Sequence, residues 1–123
     1  MFSHVMVGSN DIEASQRFYD ALFGMTAQKD GKGRLAYRRG GAVFMVTTPI
    51  DGTPAVPANG GTIGFHFEAP DEIDAWHEAG VKNGGTSIED APSYREGGFG
   101  KVYLAYLRDP DGNKLCAVHR PAS

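Results

Sequence analysis

Cysteine is nearly absent. Cys116 is the only one, so the chain cannot form an internal disulfide and suits a reducing compartment. Long apolar runs are absent as well, and nothing approaches the ~18 consecutive apolar residues of a membrane helix. An excess of positive charge is also missing: 12 Lys and Arg stand against 15 Asp and Glu, a formal net charge of −3. No basic stripe exists to neutralise phosphates along a duplex, which excludes a nucleic-acid partner. The one basic pair, Arg38-Arg39, precedes Gly40-Gly41 and reads as a solvated turn. Met1 to His4 lack the basic stretch and apolar run of a secretory signal. A cytoplasmic protein with no membrane partner is the expectation.

What the chain has in quantity is turn-forming residues: 17 glycines and 7 prolines among 123 residues, with 41% hydrophobic and 22% charged. That composition fits one globular domain over residues 1–123, with short elements and many turns. Val5-Met6-Val7 opens a strand, and Ser9-Asn10-Asp11 supplies capping side chains for a helix. Ile12, Phe18, Tyr19, Leu22 and Phe23 fall roughly on one helical face, and Gly24 ends it. Three strands are predicted next, near Thr26–Lys29, Arg34–Arg38 and Ala42–Thr48. Pro49 to Gly61 reads as a linker.

The pattern then restarts. Thr62–Glu68 is predicted as a strand and Pro70 opens a helix closed by Gly80. Strands follow near Thr86–Glu89, Val102–Arg108 and Lys114–His119, the last two joined by the turn Asp109-Pro110-Asp111-Gly112. His4 and His66, 62 residues apart, each precede a capped helix; Gly41 and Gly112, 71 apart, each end a turn before a last strand. The difference of nine is assigned to a longer loop around Ala91–Gly100. The reading is α+β: two pseudo-symmetric βαβββ modules, about 1–50 and 60–120, forming a curved sheet around a cup-shaped cavity.

Pairing across the Asp109–Gly112 turn predicts Ala105 opposite Cys116 and Tyr103 opposite Val118, with Leu104, Tyr106, Leu115 and Ala117 on the helix-facing side. The concave side then carries His4 and Met45 from one half, His66 and Cys116 from the other, with Tyr103 and Arg34 beside them. Neutral imidazole is a common metal ligand, so His4, His66 and Cys116 as thiolate form a soft three-ligand candidate for one divalent transition metal. Adding a distant Met45 makes the donor set of a blue copper centre. Met45 and Cys116 packing as apolar groups, in a metal-free cup, is the competing reading. Glu68 shares a strand face with His66 and is a candidate base; Tyr103 is a candidate hydrogen-bond donor, and Arg34 a candidate holder of a carboxylate or phosphate.

Other motifs fail. Gly97-Gly98-Phe99-Gly100-Lys101 lacks the Ser or Thr and the following helix of a phosphate loop, and reads as a mobile loop at the mouth of the cup. His66-Phe67-Glu68 lacks the paired cysteines of a zinc deaminase, and there is no Gly-x-Ser-x-Gly elbow. His77 and His119 read as solvated.

The stretches His4–Val7, Asp11–Gly24 (DIEASQRFYDALFG), His66–Asp71 (HFEAPD) and Arg108–Val118 (RDPDGNKLCAV) resemble the vicinal oxygen chelate superfamily, which includes glyoxalase I, extradiol dioxygenases and bleomycin-resistance proteins. The resemblance implies a homodimer with sites between subunits. It also implies an activity on a small oxygen-bearing metabolite (lyase, isomerase or dioxygenase) or, alternatively, metal-free binding of a drug or metabolite. Met45 and Cys116 stand where a glyoxalase would carry carboxylates, and neither can act as the carboxylate base of that reaction. Glyoxalase I activity itself is therefore not expected.

Overall fold

The computed structural model describes residues 1–98 and 100–121. In chain order the elements are β1 (His4–Gly8), α1 (Ile12–Phe23), β2 (Gln28–Lys29), β3 (Leu35–Arg39), β4 (Ala42–Thr47), β5 (Ile63–His66), α2 (Pro70–Lys82), β6 (Thr86–Gly97), β7 (Gly100–Arg108) and β8 (Lys114–His119). They form two four-stranded sheets, ordered β1-β4-β3-β2 and β5-β8-β7-β6. In each, the first strand runs parallel to the last and the remaining pairs are antiparallel. Two βαβββ modules are present, as the repeat predicts. The two sheets do not close into one cup. Among the described residues, no helix is long and apolar enough to cross a membrane.

Local chemistry explains the first helix. The Asp11 side chain accepts the Ala14 N–H at its start, and Gly24, with φ 62, ends it in the left-handed conformation glycine adopts without strain. Ser15, Phe18, Tyr19 and Leu22 recur at helical spacing and are buried. Helix α2 starts on Pro70 and buries Ile73, Trp76 and Gly80. The expectation that Gly80 closes this helix is corrected: α2 continues to Lys82. Gly80 is instead a contact residue, because an added Cβ would collide with Leu107 and stand 3.2 Å from Leu22. Its bareness lets α2 press against both β7 and α1.

One core joins the modules. It combines Phe18, Tyr19 and Leu22 of α1, Ile73 and Trp76 of α2, and the inward residues of both sheets, among them Leu35, Phe44, Val46, Ala105, Leu107, Leu115 and Ala117. Phe65 of β5 meets Phe23 and Phe44, with ring centroids at 5.4 and 5.8 Å. Burying each of these large side chains stabilises the fold by roughly 1.5–3 kcal/mol. Strand alternation then sends the residues between them, including His4, Met45, His66 and Cys116, out of this shared core.

A polar seam completes the join. Asp109 is 4% exposed, and its carboxylate accepts from the Tyr19 hydroxyl at 2.6 Å and from the N–H groups of Asp111 and Asn113, each at 2.9 Å. Asp111 in turn accepts from the Asn10 N–H at 2.8 Å, and the Asn113 amide donates to the Gly8 carbonyl at 3.2 Å. The Asp-Pro-Asp-Gly-Asn segment is thus both a hairpin turn and a clamp on the first module.

Three further expectations change. The turn is longer by one residue: Arg108 pairs Lys114, and Asp109 N–H donates to the Asn113 carbonyl at 2.9 Å. Tyr106, not Ala105, therefore lies opposite Cys116, and Tyr103 lies opposite His119. A one-residue slip exchanges the faces. Tyr103, Ala105 and Leu107 point to the helices, while Leu104 and Tyr106 share the outer face with Cys116.

The repeat offset also differs. Ser9 and Phe67 make equivalent bonds to the last strands, to Thr47 and Val118 respectively, so the first strands are related by 67 − 9 = 58 and the last by 118 − 47 = 71. The helix starts, Ile12 and Pro70, give the same 70 − 12 = 58. His66 is thus the counterpart of Gly8, not of His4. Finally, most of the loop expected at Ala91–Gly100 is strand: β6 runs through to Gly97 with an irregularity between Ile88 and Ser93, β7 starts at Gly100, and Gly97 pairs Gly100. Of the proposed mouth loop, Phe99 lies outside the described residues.

Candidate functional site

His66 ends β5 on the outer face of the second sheet, and the even spacing to Glu68 brings both to one side. His66 Nε2 and Glu68 Oε1 are 3.0 Å apart, and both side chains are exposed. Along the same face, Gly64 pairs Cys116 and Cys116 pairs Tyr106, in adjacent strands. A Cβ on Gly64 would touch nothing within 4 Å, so the missing side chain leaves a hollow beside the sulfur. Cys116 is nonetheless 5% exposed. Burial pushes its thiol up from the ordinary cysteine value, while the Tyr106 hydroxyl and the Arg95 and Lys114 charges pull the other way. The thiol is therefore protonated near neutrality.

The other predicted site residues do not gather there. His4 opens β1, outward and exposed, with its Nδ1 2.7 Å from the Ser3 hydroxyl. Met45 lies mid-β4 on the outer face of the first sheet, between Met6 and Ala36. Arg34 is held by Asp30, Nε to Oδ2 at 2.5 Å, so its charge is already matched. Tyr103 sits on the helix side and donates to Asp74 at 2.5 Å. That hydrogen bond is the main cause of its hydroxyl being pushed up to about 12. His77 and His119, expected in solvent, are half-buried: His77 meets the Ser87 hydroxyl at 2.8 Å and His119 the Phe67 carbonyl at 3.0 Å.

Among the described residues, no three His, Cys, Asp or Glu side chains come together in a way that could hold a metal ion. His4 and His66 belong to different sheets, and Cys116 carries a buried, protonated sulfur. Within one chain this donor set does not fit a divalent ion, which needs several deprotonated ligands at once.

A cleft of about 340 Å³ opens between the modules, along the free edge of β5. Phe23, Tyr37, Phe44, Phe65 and Phe67 line it, with His66 and Arg39 as its polar members. The size and the apolar walls with a few polar groups are those of a small-molecule pocket. Sequence reasoning missed this cleft and Tyr106. The aromatic residues were readable as core, but their leaving a gap depends on how two separate sheets meet. Gly64 opposite a cysteine was the one available signal for the hollow.

The family model of the Glyoxalase/Bleomycin resistance protein/Dioxygenase superfamily matches residues 1–117. A glyoxalase/bleomycin resistance protein from Albidiferax ferrireducens T118 is 53% identical, with a TM-score of 0.93 over 98% of this chain and 99% of that one. A glyoxalase-related enzyme from Fulvimarina pelagi (23% identical, TM-score 0.78, 98% and 88% covered) shares the fold. So does a lactoylglutathione lyase from Agrobacterium tumefaciens (20% identical, TM-score 0.69, 97% and 92% covered). No curated protein matches.

Proposed function

The chain belongs to the Glyoxalase/Bleomycin resistance protein/Dioxygenase superfamily, and on that premise we propose that it is a metal-independent lyase or isomerase of a small oxygen-bearing metabolite. The observation that carries this reading is the 3.0 Å contact of His66 with Glu68 at the edge of the aromatic cleft. With Nε2–H donated to Glu68, the imidazole keeps its lone pair on Nδ1 and can take a proton from carbon next to a carbonyl. The same nitrogen returns that proton to the neighbouring atom or to the leaving group. The aromatic walls hold the carbon skeleton, while Arg39 stands at the rim for an acidic substituent.

The test is solvent-deuterium exchange, followed by proton NMR, on a panel of small 2-oxo acids and hydroxyaldehydes. The wild type exchanges at least one of them. His66→Gln lowers the rate by about 10²-fold or more and Glu68→Gln by less, since loss of a general base has effects of this order. Protein purified without a histidine tag carries less than one equivalent of metal.

The aromatic cleft favours a second reading, in which the protein only sequesters its ligand, as in the bleomycin-resistance class. In that case no compound exchanges, and saturable binding survives His66→Gln. In either reading we place a second copy of the chain against the outer sheet faces, where Met6 is 40% exposed beside His4. Light scattering on the eluting protein then gives twice the 13.2 kDa chain mass.

A further inference from the structure

A second cavity, of about 400 Å³, lies where the linker between the modules passes the turn end of β7 and β8. Its walls include Arg108 and Lys114 together with Asn59, Gly60, Gly61 and Thr62, and no carboxylate lines it. Neither cation dangles. Arg108 Nη1 donates to the Gly112 carbonyl at 2.7 Å, which fixes the guanidinium plane. Lys114 Nζ is held between Glu89 Oε2 at 2.7 Å and the face of the Tyr106 ring, 4.6 Å from its centre. The Lys114 side chain is only 26% exposed.

Two features show that the arrangement is built. Glu89 has φ 60 and is the only non-glycine residue with positive φ among the described residues. It lies in the irregularity of β6 between Ile88 and Ser93, and its carboxylate is the one that meets Lys114. On the opposite wall, Ala58 to Gly61 form a tight turn, closed by the Gly61 N–H to the Ala58 carbonyl at 3.2 Å, with Gly60 at φ 85. The N–H groups of Asn59 and Gly60 have no protein acceptor among the described residues. Two cationic side chains and a glycine turn with spare N–H donors line one cavity, and that is the chemistry that holds a phosphate group.

We infer that this cavity binds the phosphate group of a small metabolite, with Arg108 and Lys114 as its charged contacts. A single Glu89 carboxylate offsets part of the two positive charges, so a dianion can enter without meeting an acidic wall. The volume exceeds that of a phosphate and leaves room for a short carbon chain. The site is separate from the His66–Glu68 pair and does not depend on the activity proposed above.

The experiment is a titration of the ¹⁵N-labelled full chain, followed by amide shifts, with three additives: inorganic phosphate, glycerol 3-phosphate, and sodium chloride at matched ionic strength. Saturable shifts at residues 59–62 and 108–114 are expected with the two phosphates and not with chloride, with a Kd on the order of 1 mM. Tighter binding of glycerol 3-phosphate identifies an ester as the natural form; equal binding identifies free phosphate. Lys114→Gln weakens the binding about tenfold, and so does Arg108→Gln if its turn survives; the Lys114 ammonium meets Glu89 and the Tyr106 ring and holds no turn, so its variant keeps the test valid on its own. His66→Gln leaves the titration unchanged. Absence of saturation, equal shifts with chloride, or full binding by Lys114→Gln overturns the site.

Discussion

The two modules share one architecture and divide the chemistry unequally. On the outer face of the first sheet, Met45 lies between Met6 and Ala36, and the nearby Arg34 is already matched by Asp30. On the second, the equivalent strand carries Cys116 between Gly64 and Tyr106, flanked by the His66–Glu68 and Lys114–Glu89 pairs. The second strand of each module differs most: β2 has 2 residues and β6 has 12. The extra length supplies Glu89, the carboxylate that meets Lys114. Leu22 and Gly80 occupy the same place in the two helices, a large residue nested against an absent one. Duplication of a fold thus leaves one copy free to remain apolar support while the other accumulates polar groups.

The largest expected effect concerns what joins the copies. Asp109→Ala leaves the Tyr19 hydroxyl and two N–H groups without their acceptor, and should cost about 3 kcal/mol or more, read as a lowered urea midpoint. A loss below about 1 kcal/mol would break the claim that the polar seam couples the modules.

Next is Gly80→Ala, which forces a methyl group onto Leu107 and crowds Leu22. Overpacking of this kind costs about 1–3 kcal/mol. The reverse test, Leu22→Ala, opens a cavity without any clash, so equal effects on stability with no change in the Leu107 methyl shifts would remove the asymmetry.

The smallest effect is alkaline. Burial raises the hydroxyls of Tyr19 and Tyr37 well above the ordinary value of 10.0. In the folded chain these groups keep their protons while the unfolded chain gives them up near pH 10. Their stabilising contribution is complete below that value and is lost as pH rises through it, by up to about 1.4 kcal/mol per pH unit for each group. Both residues belong to the first module, so hydrogen exchange should accelerate there first. Tyr37→Phe should flatten the slope.

Much of this was readable from residues alone. Asp11 and Gly24 mark the ends of α1, and the turn residues after Arg108 place the final hairpin. The spacing of His66 and Glu68 by itself puts them on one face of a strand. What could not be read was register. Asn113 belongs to the turn because two N–H groups converge on the Asp109 carboxylate, and a string of letters does not show that convergence. The slip moved Tyr103 to the helix side and brought Tyr106 to the sulfur. The matching of His4 with His66 failed for a similar reason: both precede helices, but the strand-to-helix connection, not the histidine, sets the phase. Nor did Pro92 and Gly97 exclude a strand, because the ladder with β7 extends to Gly97.

The β6–β7 arm has a geometric consequence for how such chains can vary. A ribbon of two paired strands keeps the inward and outward sides of its residues as long as their pairing register is unchanged. Length changes at the Gly97–Gly100 end leave the pairing of Tyr106 and Lys114 as it is, whereas a residue added to one strand within the ladder must be absorbed as a bulge. That end is therefore a natural place to graft new contacts without disturbing the sheet beneath it.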